Sequence, residues 1–151
     1  SLKIFSEAEI RSRYEISLEN YCKTVNIEGL TMVDMAPKEI LPAVEEYVSD
    51  LATAAAAKRA VSAELSCGYE KKLLHRLTSL VDTMDGRVDA LEEKLVQLDT
   101  LRSATEEAAF ICGEIIPAMG ELRAVADESE TQTAAGYWPF PTYGDLLFGV
   151  K

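Results

Sequence analysis

Residues 73–101 read Leu73-Leu74-His75-Arg76-Leu77-Thr78-Ser79-Leu80-Val81-Asp82-Thr83-Met84-Asp85-Gly86-Arg87-Val88-Asp89-Ala90-Leu91-Glu92-Glu93-Lys94-Leu95-Val96-Gln97-Leu98-Asp99-Thr100-Leu101. Within them Leu73, Leu77, Leu80, Met84, Val88, Leu91, Leu95, Leu98 and Leu101 recur at intervals of three or four. That period places apolar side chains along one side of an α-helix. No stretch of the chain shows the period-two alternation of a half-buried strand. A helix over about 69–101 is therefore predicted. Two successive intervals of four form a stutter, which locally straightens a left-handed supercoil. Gly86 lies inside the stripe and costs about 1 kcal/mol relative to Ala, so a single helix with a soft point there is expected.

Upstream, Ser6-Glu7-Ala8-Glu9 is a capping-box pattern, in which the serine hydroxyl and the glutamate carboxylate satisfy each other's backbone amides. From it runs a stripe of Ile10, Tyr14, Leu18, Tyr21, Val25, Met32, Ala36, Ile40, Val44, Tyr47 and Leu51, again at helical spacing. Pro37 and Pro42 each remove a backbone donor and crowd the carbonyl four residues back, which predicts a kink or break between about Asp34 and Leu41. The alanine-rich residues 52–60 extend the helix while letting another backbone come close. Cys67-Gly68 is the best break in the middle of the chain.

Downstream, Ala104, Ala108, Ile111, Ile115, Met119, Leu122 and Ala126 form a third stripe. Ser103 is its expected N-cap with Glu106 completing a capping box, Pro117 is expected to bend it, and Gly136 to stop it. Beyond Gly136 two X-Pro steps, Trp138-Pro139 and Phe140-Pro141, impose an extended path. The predicted fold is all-α: an antiparallel bundle of three long helices over about 6–62, 69–101 and 104–134, with an extended aromatic tail over 137–151. The first helix is kinked or split, and a split would give four. At 1.5 Å per residue, a helical segment of about 45 to 55 residues there spans roughly 70 Å, against roughly 45 Å for each of the others at about 30 residues, so a continuous first helix overhangs its partners. Trp138, Phe140, Tyr143 and Phe148 in the tail are the candidate structural or interface residues, as a clasp on the chain's own bundle or an anchor for a neighbouring subunit.

At 151 residues the chain is the size of one domain. A net charge of −11 repels nucleic-acid phosphates and anionic lipid, and no apolar run approaches the roughly 20 residues needed to span a bilayer. Cys22, Cys67 and Cys112 lack the spacing of a zinc site or a redox pair and read as reduced thiols of a cytoplasmic protein. The missing initiator methionine fits a segment of a longer polypeptide. Catalytic constellations fail one by one. A di-metal carboxylate bundle needs Glu-x-x-His on two helices, whereas the single histidine, His75, has Lys72 three residues before it. No catalytic, cofactor-binding or metal-binding residue is assigned. His75, beside Lys71, Lys72 and Arg76, leaves open an independent histidine-phosphotransfer bundle, and the heptad-like stripes leave open a coiled-coil adaptor.

Three stretches carry more than periodicity. Residues Arg13-Tyr14-Glu15-Ile16, Glu19-Asn20-Tyr21, Lys23 to Met32 and Asp34 to Ala43 resemble the segment that follows the catalytic domain in type III glutamine synthetases, the large bacterial form of that enzyme. Pro117-Ala118-Met119 with Leu122-Arg123 and Asp127 resembles a later helix of the same region. Trp138-Pro139-Phe140-Pro141-Thr142-Tyr143 with Leu146-Leu147-Phe148 resembles its terminal motif. The resemblance implies a non-catalytic C-terminal structural or oligomerisation domain. Its parent enzyme would join ammonia to glutamate with ATP and Mg or Mn, as a double-ringed homo-oligomer. The catalytic domain would lie upstream in the same polypeptide. Gly29, Pro37 and Gly113 depart from the better helix formers and aromatics expected at their positions.

Overall fold

A computed structural model describes residues 6–141 together with Leu146, Leu147 and Gly149. The described residues form helices and turns with no strand. The first helical run is α1 (Glu7–Met35), a π-helical turn Ala36–Ile40 and α2 (Leu41–Val61), continuous over 55 residues. It is followed by α3 (Gly68–Leu98), then by α4 (Ala104–Phe110), a second π-helical turn Ile111–Ile115 and α5 (Ile116–Gln132). The three runs pack as an antiparallel bundle with α3 in the middle, its first part against α2, its second part against α1, and α5 alongside.

The start of α1 is fixed by the expected capping box. The Glu9 amide donates to Ser6 Oγ at 3.3 Å and the Ser6 amide to Glu9 Oε2 at 2.7 Å. The second expected box does not form: the Ser103 carbonyl accepts from the Glu107 amide at 2.9 Å, but its hydroxyl makes no cap. Glu106 is exposed. Helix α3 runs unbroken through Gly86. It stops at Leu98 rather than near 101, because the amides of Thr100 and Leu101 close tight turns onto the carbonyls of Gln97 and Leu98.

The prolines act through the hydrogen-bond register. Before Pro42 the Leu41 amide reaches the Ala36 carbonyl, and before Pro117 the Ile116 amide reaches the Ile111 carbonyl. Each is a five-residue step in place of the α-helical four. An extra residue in the turn widens the helix where the proline ring would strike the carbonyl four residues back. The two sites, Glu39-Ile40-Leu41-Pro42-Ala43 and Glu114-Ile115-Ile116-Pro117-Ala118, differ only in Leu41 against Ile116 and share one solution. The first π turn also repairs the phase of the stripe. Met32, Ala36, Ile40 and Val44 are three successive intervals of four, which in an ideal helix rotate the stripe by about 120°; one extra residue takes back about 100°.

Two apolar clusters result. The larger joins Cys22, Val25, Ala36, Met84, Val88, Leu91, Leu95, Leu98, Ile111, Ile115, Ala118 and Leu122, and the smaller joins Val44, Leu51 and Leu77. Ile40 packs against both. Gly29 is buried where α1 crosses α3: a Cβ there would lie 3.0 Å from Leu95 Cδ2. Along the opposite seam Arg76–Glu128 at 3.0 Å, Arg87–Glu121 at 2.7 Å and the Lys94–Glu114 pair rise on α3 while they descend on the third run. Exposed pairs of this kind add little energy each, but their ordering marks the antiparallel register.

Candidate interaction surface

The bundle ends where the α3–α4 turn meets α1. Cys22, buried, donates its thiol to the Ala104 carbonyl at 3.9 Å, and the Tyr21 hydroxyl and Cys112 Sγ lie 3.5 Å apart. Burial, with Glu107 nearby, pushes the Cys22 thiol pKa up. Among the described residues no helix packs against α1 N-terminal to this level. Residues 7–17 and 19–21 are all exposed and Leu18 is half-buried, so about 15 residues, on the order of 22 Å of helix, project as an arm. Ile10 is 56% and Tyr14 62% exposed. Successive steps of four, four and three put Ile10, Tyr14, Leu18 and Tyr21 on the line that continues into buried Cys22 and Val25. The stripe that builds the core therefore runs on past its end. Ile16 is exposed on the opposite side.

At the other end of the bundle the chain after α5 turns back through the Tyr137 amide, which donates to the Ala134 carbonyl at 2.9 Å. The Tyr137 hydroxyl donates to Asp50 Oδ2 at 2.6 Å, and its ring lies 4.9 Å from that of Tyr47. Tyr47 is held against the smaller cluster; burial, with the Tyr69 hydroxyl beside it, pushes its pKa up to about 12. The Asp50 carboxylate holds the Tyr137 phenol in its protonated form by accepting its hydrogen bond, which raises its pKa. Of the candidates named from sequence, Trp138 is half-buried and packs against the cluster of Val44, Leu51 and Leu77. Phe140 stands edge-on to Trp138 with ring centroids 6.2 Å apart. Tyr143 and Phe148 lie outside the described residues. Sequence reading passed over Tyr137 and Asp50, which are 87 residues apart in the chain and carry no local signal of pairing. Tyr47 was visible only as one member of the helical stripe.

At the α2–α3 junction the Lys58 ammonium pairs with the Glu70 carboxylate, whose side chain is 7% exposed and whose second oxygen has no partner. The hydrogen bond from Lys58 lowers the Glu70 pKa and raises that of Lys58. The Cys67 thiol donates to the Ala55 carbonyl at 3.6 Å, so the small residues of α2 do admit the start of α3. His75 is exposed on α3 in an open depression with Lys71, Thr78, Ser79 and Asp82. Among the described residues no three His, Cys, Asp or Glu side chains converge on a point that would hold a metal ion, and no helix is long and apolar enough to cross a membrane.

Fold and surface thus define an all-helical bundle domain with a projecting first helix and a folded-back aromatic segment. The family described as glutamine synthetase C-terminal domain matches residues 1–59, the arm and the first π turn included. The glutamine synthetase of Butyrivibrio fibrisolvens is 34% identical over 148 residues, covering 98% of this chain and 21% of that protein. The type-3 glutamine synthetase of Dictyostelium discoideum is 25% identical over 158 residues, covering 98% and 22%. That of Bacteroides fragilis (strain YCH46) is 28% identical over 153 residues, covering 97% and 21%. Residues 1–59 thus match the glutamine synthetase C-terminal domain family, and nearly the whole chain aligns with about a fifth of the length of these relatives, their C-terminal part.

Proposed function

We propose that this chain is the non-catalytic C-terminal domain of a glutamate–ammonia ligase and that its work is structural, packing on the catalytic domain or joining subunits. The ligase would make glutamine from glutamate and ammonia with ATP and Mg or Mn, using groups in the upstream domain. It would act in the cytoplasm as a homo-oligomer. The observation that carries the structural role is the arm, a capped helix whose apolar stripe runs past the bundle with Ile10 and Tyr14 exposed. The readings as a phosphotransfer bundle or a free-standing adaptor draw no support from the relatives, all of which are glutamine synthetases.

The test compares the full polypeptide with the 151-residue chain in an assay for ATP-dependent glutamine formation. Activity is expected in the first and none in the second. Turnover by a pure sample of the short chain would place catalytic groups in these helices and end the proposal.

A further inference from the structure

We propose that the apolar line Ile10–Tyr14–Leu18 of the arm is the docking surface for the domain that immediately precedes this chain in the same polypeptide. This rests on the reading above that the chain is the C-terminal part of a longer protein, and it names the surface and the occupant that the reading leaves open.

Connectivity is the first argument. Helix α1 begins at Glu7, and its cap at Ser6 fixes the direction from which the chain arrives. Five residues separate that cap from the start of the sequence, a reach of at most about 18 Å fully extended. Whatever precedes Ser1 is therefore tethered at the tip of the arm, and the arm is the part of this domain nearest to it. The relatives are about five times as long as the match, so the tethered object is large.

Area is the second argument, because the patch is small. The exposed apolar surface of Ile10, Tyr14 and Leu18 with the edge of Tyr21 is on the order of 300–400 Å², the size of a functional patch on a monomer. Two copies pairing through it would bury roughly 600–800 Å² of apolar surface, which with its polar rim is no more than a small interface between separate molecules. An intramolecular contact needs less, because a short tether supplies an effective concentration in the millimolar range.

Charge points the same way. The molecule carries −11 overall, so copies repel one another. On the arm and its root, however, Glu7, Glu9, Glu15 and Glu19 stand against Arg11, Arg13 and Lys23. This near balance suits a surface meant to be covered.

The test uses the full polypeptide with a photo-crosslinking phenylalanine analogue at position 14, an exposed site where the larger ring does not disturb the bundle. Crosslinks from position 14 to residues upstream of Ser1, in a product of monomer mass on a denaturing gel, are expected. A product of dimer mass, or crosslinks only within residues 1–151, overturns the proposal. Hydrogen exchange on the same protein without the analogue gives a second readout. Amides of residues 7–18 should exchange slowly, and Tyr14→Glu should speed them by about tenfold or more. Fast exchange before the substitution overturns the proposal as well. Ligase activity is measured on the same sample. Crosslinks without activity would refute the enzymatic reading and leave the docking surface standing, whereas activity without crosslinks would do the reverse.

Discussion

Gly86 and Gly29 are both helical glycines in a bundle, and the structure predicts opposite consequences for replacing them with alanine. Gly86 is exposed in the middle of α3, and a Cβ there would meet nothing within 4 Å. Gly86→Ala therefore gains the full helix-propensity difference, about 0.8–1.0 kcal/mol. For a chain of 151 residues, an unfolding entropy of about 2.1 cal/mol/K per residue gives about 0.3 kcal/mol/K, so the melting temperature should rise by about 3 °C. Gly29 gains the same propensity, but its new Cβ would lie 3.0 Å and 3.5 Å from the two methyl groups of Leu95, itself 3% exposed. Pushing a methyl into such a core costs typically about 1–3 kcal/mol, which cancels the gain or outweighs it by up to about 2 kcal/mol. Thermal melts followed by helical circular dichroism should place Gly29→Ala at least about 3 °C below Gly86→Ala. A Gly86→Ala protein that melts no higher than the parent would mean that α3 is not continuous at its centre. Equal stabilisation by both would mean that α1 and α3 do not approach closely at Leu95.

Deleting residues 137–151 should lower the melting temperature, since it strips Trp138 from the Val44–Leu51–Leu77 cluster and Tyr137 from Asp50; an unchanged melt would assign the aromatic segment to contacts with another subunit. The fluorescence of the single tryptophan should shift to the red when the Asp50→Ala substitution releases Tyr137, and a constant emission maximum would refute the coupling. The pKa of Glu70 lies below its ordinary value of 4.5 because of Lys58. The unfolded chain therefore takes up that proton first, so the stabilisation is complete above pH 4.5 and is lost as pH falls through the folded value. Glu70→Gln should flatten the acid limb of the stability profile, and an unchanged slope would show that the pair contributes nothing. Of the three thiols only Cys112 is exposed, so a thiol reagent should modify one group quickly and two only on unfolding, with Cys112→Ser abolishing the fast phase.

The helices, their order and their antiparallel packing were legible because each stripe repeats its period over many turns, as in Leu77, Leu80, Met84, Val88 and Leu91. The overhang was legible too, since length follows from residue count alone. What sequence hid was register. Pro37 and Pro42 announced a disturbance between Asp34 and Leu41, but whether a helix answers a proline by bending, breaking or admitting an extra residue depends on which carbonyl the Leu41 amide reaches. Gly29 looked out of place by propensity, and only the nearness of Leu95 explains it. Ser103 met the local pattern of a capping box, yet its side chain makes no cap and Glu106 stays exposed. The clasp joins Asp50 to Tyr137 across the whole bundle, a pairing that no local pattern encodes. Family resemblance reached further than periodicity, because motifs at both ends of the chain identify it while its middle could belong to many helical proteins.

The first π turn has a bearing on how this chain tolerates changes in length. Removing one residue from an ordinary helix turns everything beyond the gap through about 100° and destroys its packing. Here the turn already holds one residue more than an α-helix would. Ala36 and Val44, eight positions apart and both buried, would stand seven apart after the loss of exposed Lys38, an interval that an α-helix brings back to within about 20° of the same side. Deletion therefore keeps both halves of the core in phase and leaves only the clash of the Pro42 ring with a carbonyl, which Pro42→Ala removes. The turn is thus a reserve of one residue, a place where this chain can shorten its first helical run without rotating the arm relative to the rest.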